Sequence, residues 1–169
     1  DMLAKEYGVS IHNPINEENL RFVGDTPTYC TPLFANRFLM DADMKIGIDT
    51  IRSDVFVGAT GGRMAILPHG AGMKSISRNS KLKATHPVGP FNFDSAVSKD
   101  LEEASKLAGL DFVVNGVPDY SDKIHGIFSG DPLTAWHQGT GPSLCGRPDD
   151  PGRRHGRTPN GICRNPFAR

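Results

Sequence analysis

Apolar and polar positions change period several times along the chain. Leu20-Arg21-Phe22-Val23-Gly24 reads as a short strand that runs into the turn-prone pair Gly24-Asp25. Thr31-Pro32 has the form of a helix start, because Thr31 can cap and Pro32 suits the first helical position. Leu33, Phe34, Arg37, Phe38 and Asp41 follow at helical spacing, so a helix is expected there. Residues 43–49 alternate as a strand, with Met44, Ile46 and Ile48 on one face. Val55, Phe56 and Val57 read as a strand leading into a glycine-rich loop, residues 58–62. Ala65-Ile66-Leu67-Pro68 is a brief apolar stretch, and residues 70–83 are expected to contain a helix.

The clearest helix is 95–107, where Val97, Leu101, Ala104 and Ala108 build one apolar face. Asp94 or Ser95 can cap its start, and Gly109 its end. Residues 110–117 (LDFVVNGV) form a nearly continuous apolar strand, as expected in a sheet covered on both sides. Residues 118–122 are turn formers, and 123–129 (KIHGIFS) predict a further strand. Strands alternating with helices predict an α/β, layered, Rossmann-like domain followed by an irregular C-terminal tail.

Charge sharpens that boundary. The 19 basic and 19 acidic side chains of the 169 residues cancel, but not evenly. Residues 1–137 carry 8 Lys, 5 Arg and 17 acids, a net of 13 − 17 = −4. Residues 138–169 carry no Lys, 6 Arg and 2 acids, a net of 6 − 2 = +4, with 6 Gly and 5 Pro. The expected division is therefore an α/β domain over 1–137 and a basic, disordered tail over 138–169. Such a tail suits nucleic acid or an anionic membrane, or is an extension foreign to the domain. No apolar run is long enough to cross a membrane, and no secretion signal opens the chain. It begins at Asp1, as expected of a fragment or a processed product. Cys30, Cys145 and Cys163 are too few for a disulfide framework, so a reducing cytoplasm is expected.

Candidate chemistry concentrates between Asp54 and Arg63. A glycine-rich loop exposes backbone N–H groups to an anion, here through Gly61 and Gly62. Thr60 adds a hydroxyl and Arg63 a fork for phosphate or carboxylate. The same loop equally suits a plain tight turn. It matches neither the Walker pattern nor G-x-G-x-x-G. Gly70-Ala71-Gly72 offers a second anion site before a helix, or only a flexible lead-in. His12, His69, His86, His125, His137 and His155 are dispersed without metal-ligand spacing, so no metal site is expected. His69 and His86 could converge with Asp54, or lie singly on the surface. Asp49 and Asp54 fall near strand ends, where α/β folds place ligands, or they cap loops.

Thr60-Gly61-Gly62-Arg63, followed by Ile66-Leu67-Pro68 and Gly72, resembles the N-terminal domain of the nickel-pincer lactate racemase family. The resemblance runs from about Phe22 to Trp136, through Thr31-Pro32, Asn36-Arg37, residues 42–48, Asn79, residues 100–115 and residues 126–131. It implies a 2-hydroxyacid racemase or epimerase with a nickel-bearing mononucleotide tethered to a lysine, and a histidine base beside a hydride-accepting cofactor. Its ligand would be a small hydroxy acid or another small anion, and nucleic acid is not expected.

Three positions depart from the family. The tethering lysine is replaced by Met64, whose thioether cannot form the covalent bond of an amine. The nickel-ligating histidine is replaced by Ser80, a poor nickel ligand beside imidazole. One catalytic histidine is replaced by Asp54, and an aspartate is a weaker base than a histidine. The cofactor is therefore not expected to be covalently held. Two readings stay open: a racemase-like protein with altered or lost chemistry, in which Asp54 takes a proton, and a non-catalytic paralogue or fragment that binds a small anion or a partner subunit.

Overall fold

The computed structural model describes residues 8–118 and 122–145. Strand β1 (Leu20–Asp25) pairs antiparallel with β2 (Pro32–Asn36). The helix expected from Thr31 is thus a strand. Leu33 and Ala35 are fully buried and alternate with half-buried neighbours, a period of two that the bulky residues 33, 34, 37 and 38 disguise. The turn between the strands is held by the carboxylate of Asp100, which accepts from the hydroxyls of Thr26 (2.6 Å) and Thr31 (2.8 Å). That closure brings the chain back along β1 before a helix can begin. The helix is delayed to α1 (Arg37–Met40), where Asn36 Oδ1 accepts from the N–H groups of Phe38 and Leu39.

The main sheet has the order β3 (Ile46–Thr50), β6 (Phe112–Pro118), β7 (Ile124–Gly130), with β3 and β6 parallel and β6 and β7 antiparallel. Between β3 and β6 lie a small hairpin, β4 (Ser53–Asp54) and β5 (Gly58–Ala59), a 3-10 turn (Gly62–Ala65), α2 (Met73–Lys81) and α3 (Ala96–Leu107). Val55, Phe56 and Val57, expected as a strand, form the turn of that hairpin. Helix α3 begins at Ser95, whose hydroxyl accepts from the Ser98 N–H, and Gly109 follows it at φ +67°.

Burial separates the two faces of the sheet. Val113, Asn115 and Val117 are buried, whereas Phe112 is exposed and Val114 half-buried. The strand is therefore covered on one side among the described residues, not on both. Met44, Ile46 and Ile48 share a face as expected, but it is the outer one; the inner position of β3 is Gly47.

Helix α4 (Pro132–Cys145) packs on β6 and β7. It crosses the expected domain boundary at 137/138, so residues 138–145 are helical and not irregular tail. Gly139 and Thr140 are buried, and a Cβ on Gly139 would lie 2.4 Å from Ile51 Cδ1. A helix face made of small residues carries no hydrophobic period, which is why the pattern concealed it. The remainder of the expected tail, 146–169, lies outside the described residues, as do Cys163 and His155. Cys30 is free and exposed. Among the described residues no helix is long and apolar enough to cross a membrane.

Candidate functional site

The loop from Asp54 to Arg63 folds inward, and its geometry starts from the short hairpin. Asp54 Oδ1 accepts from the backbone N–H groups of Phe56 (2.8 Å) and Val57 (2.9 Å), which fixes the turn. The carbonyl of Val57 in turn accepts from Arg63 Nη2 at 3.2 Å. One residue, Val57, therefore links the half-buried Asp54 to the buried guanidinium, through its N–H on one side and its carbonyl on the other.

Arg63 is fully buried. Its Nη2 also donates to the Ala59 carbonyl (3.3 Å) and Ser98 Oγ (3.0 Å); Nη1 donates to the Ser98 carbonyl (3.2 Å) and faces Glu102 at 3.5 Å. Its Cζ lies 3.6 Å from the centroid of the Trp136 ring, a cation–π stack. Burial pushes its pKa down to about 10, against the opposing pull of Glu102. Arg63, expected to grip an external phosphate or carboxylate, has its guanidinium turned into the protein here. The planar fork is engaged by carbonyls and Ser98 along one edge and by an indole across one face.

Thr60 is likewise engaged within the protein. Its hydroxyl donates to the Thr50 carbonyl (2.7 Å) and accepts from the Arg52 N–H (3.0 Å), which ties the loop to the end of β3. Its carbonyl accepts from Trp136 Nε1 at 2.8 Å. Gly61 has φ +143°, and a Cβ there would stand 2.6 Å from Trp136 Cδ1. Gly62 lies against Gly47, where a Cβ would meet the Gly47 carbonyl oxygen at 2.6 Å, and its N–H donates to Asn115 Oδ1 at 2.8 Å. These glycines permit close packing of the loop on the sheet and on the indole.

Trp136, Asn115, Ser98 and Ser105 complete this arrangement and were not singled out in the sequence. Ser105 Oγ donates to the Arg63 carbonyl at 2.8 Å. Asn115 did leave a signal, as a polar residue inside an otherwise apolar strand, and Trp136 is the one tryptophan of the chain.

The other candidates do not join the loop. At the start of α2 the N–H groups of Gly72 and Met73 donate to the carbonyls of Phe34 (2.7 Å) and Pro14 (2.9 Å), so the Gly70–Gly72 segment is a packed lead-in, not an anion cradle. His12 is held between the Ala71 carbonyl and Asn36. His86 contacts Thr85, the Leu82 carbonyl and Tyr29, and His69 is exposed; no contact among the described residues brings either to Asp54. Asp49 accepts from the Thr50 N–H. Met64 is half-buried and packs against the main core. Ser80 lies half-buried on α2. Among the described residues no three His, Cys, Asp or Glu side chains are grouped to hold a metal ion.

A family profile described as "Lactate racemase N-terminal domain" matches residues 1–88, more than half of the chain. The chain belongs to the lactate racemase family. It is 30% identical over 133 residues to the lactate racemase of Thermoanaerobacterium thermosaccharolyticum, a match covering 77% of this chain and 31% of that protein. To the lactate racemase of Lactiplantibacillus plantarum it is 29% identical over 141 residues, covering 76% and 33%. The solved lactate racemase apoprotein of T. thermosaccharolyticum superposes with a TM-score of 0.70, at 30% identity, over 76% of this chain and 31% of the other. A Thermotoga maritima crystal structure shares the fold at a TM-score of 0.62 and 19% identity, over 84% and 42%. The chain thus spans about a third of the length of the lactate racemases it matches.

Proposed function

We propose that this chain is the N-terminal part of a lactate-racemase-like protein of the 2-hydroxyacid racemase or epimerase class, in which the nickel-pincer chemistry is altered or lost. The observation that carries the reading is Met64. At the position that the resemblance assigns to the tethering lysine stands a thioether packed against the core, which offers no amine for a covalent link. The half-buried hydroxyl of Ser80 is no better matched to nickel than Met64 is to tethering. The residues present do not fit the group. Whole-protein mass and nickel content, measured after expression beside the cofactor-synthesis enzymes, are expected to show the bare chain. A covalent adduct with one nickel per chain would refute the reading.

Catalysis, where retained, falls to Asp54 as the proton acceptor. With Oδ1 engaged by two backbone N–H groups, the proton would pass to Oδ2. Racemisation of lactate followed by polarimetry, and lost in Asp54→Asn, is the result expected of that role. One observation favours the non-catalytic alternative: the polar side chains of Thr60 and Arg63 are engaged within the protein. No racemisation by either form would select it, and a thermal-shift screen with hydroxy acids would tell whether a small anion is still bound. Cysteine usage supports a reducing, cytoplasmic setting.

A further inference from the structure

The outer face of the main sheet is apolar, and among the described residues no helix lies on it. Register places Ile46 beside Phe112, Ile48 beside Val114, and Ile127 beside Gly116, while Ile124 leans over the same Gly116. Ile48 is 76% exposed, Ile127 68%, Ile124 52% and Ile46 50%. The paired positions Thr50, Pro118 and Ser129 of this face carry no charge, Met44 extends it, and the exposed His125 stands at the bulge beside Ile124. Among the described residues, the 3-10 turn at 62–65 and α4 both pack on the opposite, inner face, against Gly47, Val113 and Phe128. A parallel pair such as β3–β6 normally has both faces covered, and a contiguous exposed apolar patch marks an interaction surface.

We propose that this face is an interface for a helical layer from the remaining two thirds of a lactate-racemase-type polypeptide. The length relation commits the occupant: the matched racemases are about three times as long as the segment this chain represents. A flat, uncharged row of isoleucines takes the apolar stripe of amphipathic helices, which is how α/β layers close. Its paired positions carry no lysine or arginine for a nucleic acid or an anionic lipid, and Arg52 at its edge is paired with Asp122. The inference rests on family membership and fold, and is independent of whether any racemase chemistry survives.

The test is co-expression of the tagged 169-residue chain with the part of the T. thermosaccharolyticum racemase beyond the matched segment. Light scattering on the purified material should show a one-to-one complex. Hydrogen exchange should slow at residues 46–48 and 112–114 when the complement is present. The double variant Ile48→Glu/Ile127→Glu should lower recovery of the complex at least tenfold while the Tm of the isolated chain is retained, since both side chains point to solvent. A complex that resists the double variant would overturn the proposal, as would a chain that stays monomeric beside the complement. So would a homodimer that the same substitutions dissociate, because a second copy would then be the occupant. Association is the readout, so its failure is distinct from failure of the racemase reading.

Discussion

At Arg63 a charge lies at the centre of the packing, and most of its hydrogen-bond partners are backbone carbonyls and Ser98. Removing it leaves those carbonyls unpaired, strands Glu102 and opens a void beside Trp136. Arg63→Ala is therefore expected to destabilise the fold by about 3–5 kcal/mol in urea denaturation, the usual cost of breaking a buried pair from one side. Arg63→Lys keeps the charge but not the fork, so it should fall between the wild type and Arg63→Ala. Asp100 is comparable: its carboxylate is fully buried and accepts from Thr26, Thr31 and Asn79 Nδ2. Asp100→Ala should cost about 1–3 kcal/mol for each donor left without a partner, read by the same denaturation. The position of Arg63 after a glycine pair was legible in the sequence; the direction of its side chain was not. An arginine that binds an anion and one that clamps a loop have the same neighbours in the chain. Only the arrival of Trp136 and Ser98 from distant segments separates them.

Elements whose signals are local were readable in advance. Helix α3 lies where Val97, Leu101 and Ala104 place it, between Ser95 and Gly109. Elements that depend on a partner were not. Residues 32–36 become a strand through β1 and the Asp100-bound turn, and the helix runs on past residue 137 where Gly139 lies close against Ile51 and Phe128. Gly139→Leu should lift α4 from the sheet, lowering Tm and shifting Trp136 fluorescence to the red. At the other end of α4, Asp131 Oδ1 accepts from the Thr134 N–H at 2.9 Å, with Pro132 in the first turn. Hydrogen bonds from the backbone and side chain of Thr134 hold the Asp131 carboxyl below its ordinary value. A lowered carboxylate pKa stabilises the fold above the unfolded value, near 3.9, and that gain fades as pH falls through the folded value. Asp131→Ala should thus cost about 1 kcal/mol at neutral pH, and the difference from wild type should narrow in acid. Paired urea titrations at neutral and acid pH check the sign.

For the whole molecule, the balance of charges conceals an acidic body, and the fold conceals an open face. Charged substitutions at Ile48 or Ile127 alone should change the stability of the isolated chain by less than about 0.5 kcal/mol, because these side chains leave water neither before nor after the change. Thermal unfolding of the single variants gives that comparison directly. The amino-acid sequence by itself determined the α/β class, the positions of α2, α3 and the main strands, and membership of the lactate racemase family. Each of these rests on periodicity, turn chemistry or a run of matching residues, all properties of contiguous chain. Tertiary structure decided which way Arg63 and Thr60 turn, which side of the sheet the isoleucines face, and how far α4 extends. Those outcomes depend on close packing between segments far apart in sequence, where a glycine permits contact and an indole supplies it.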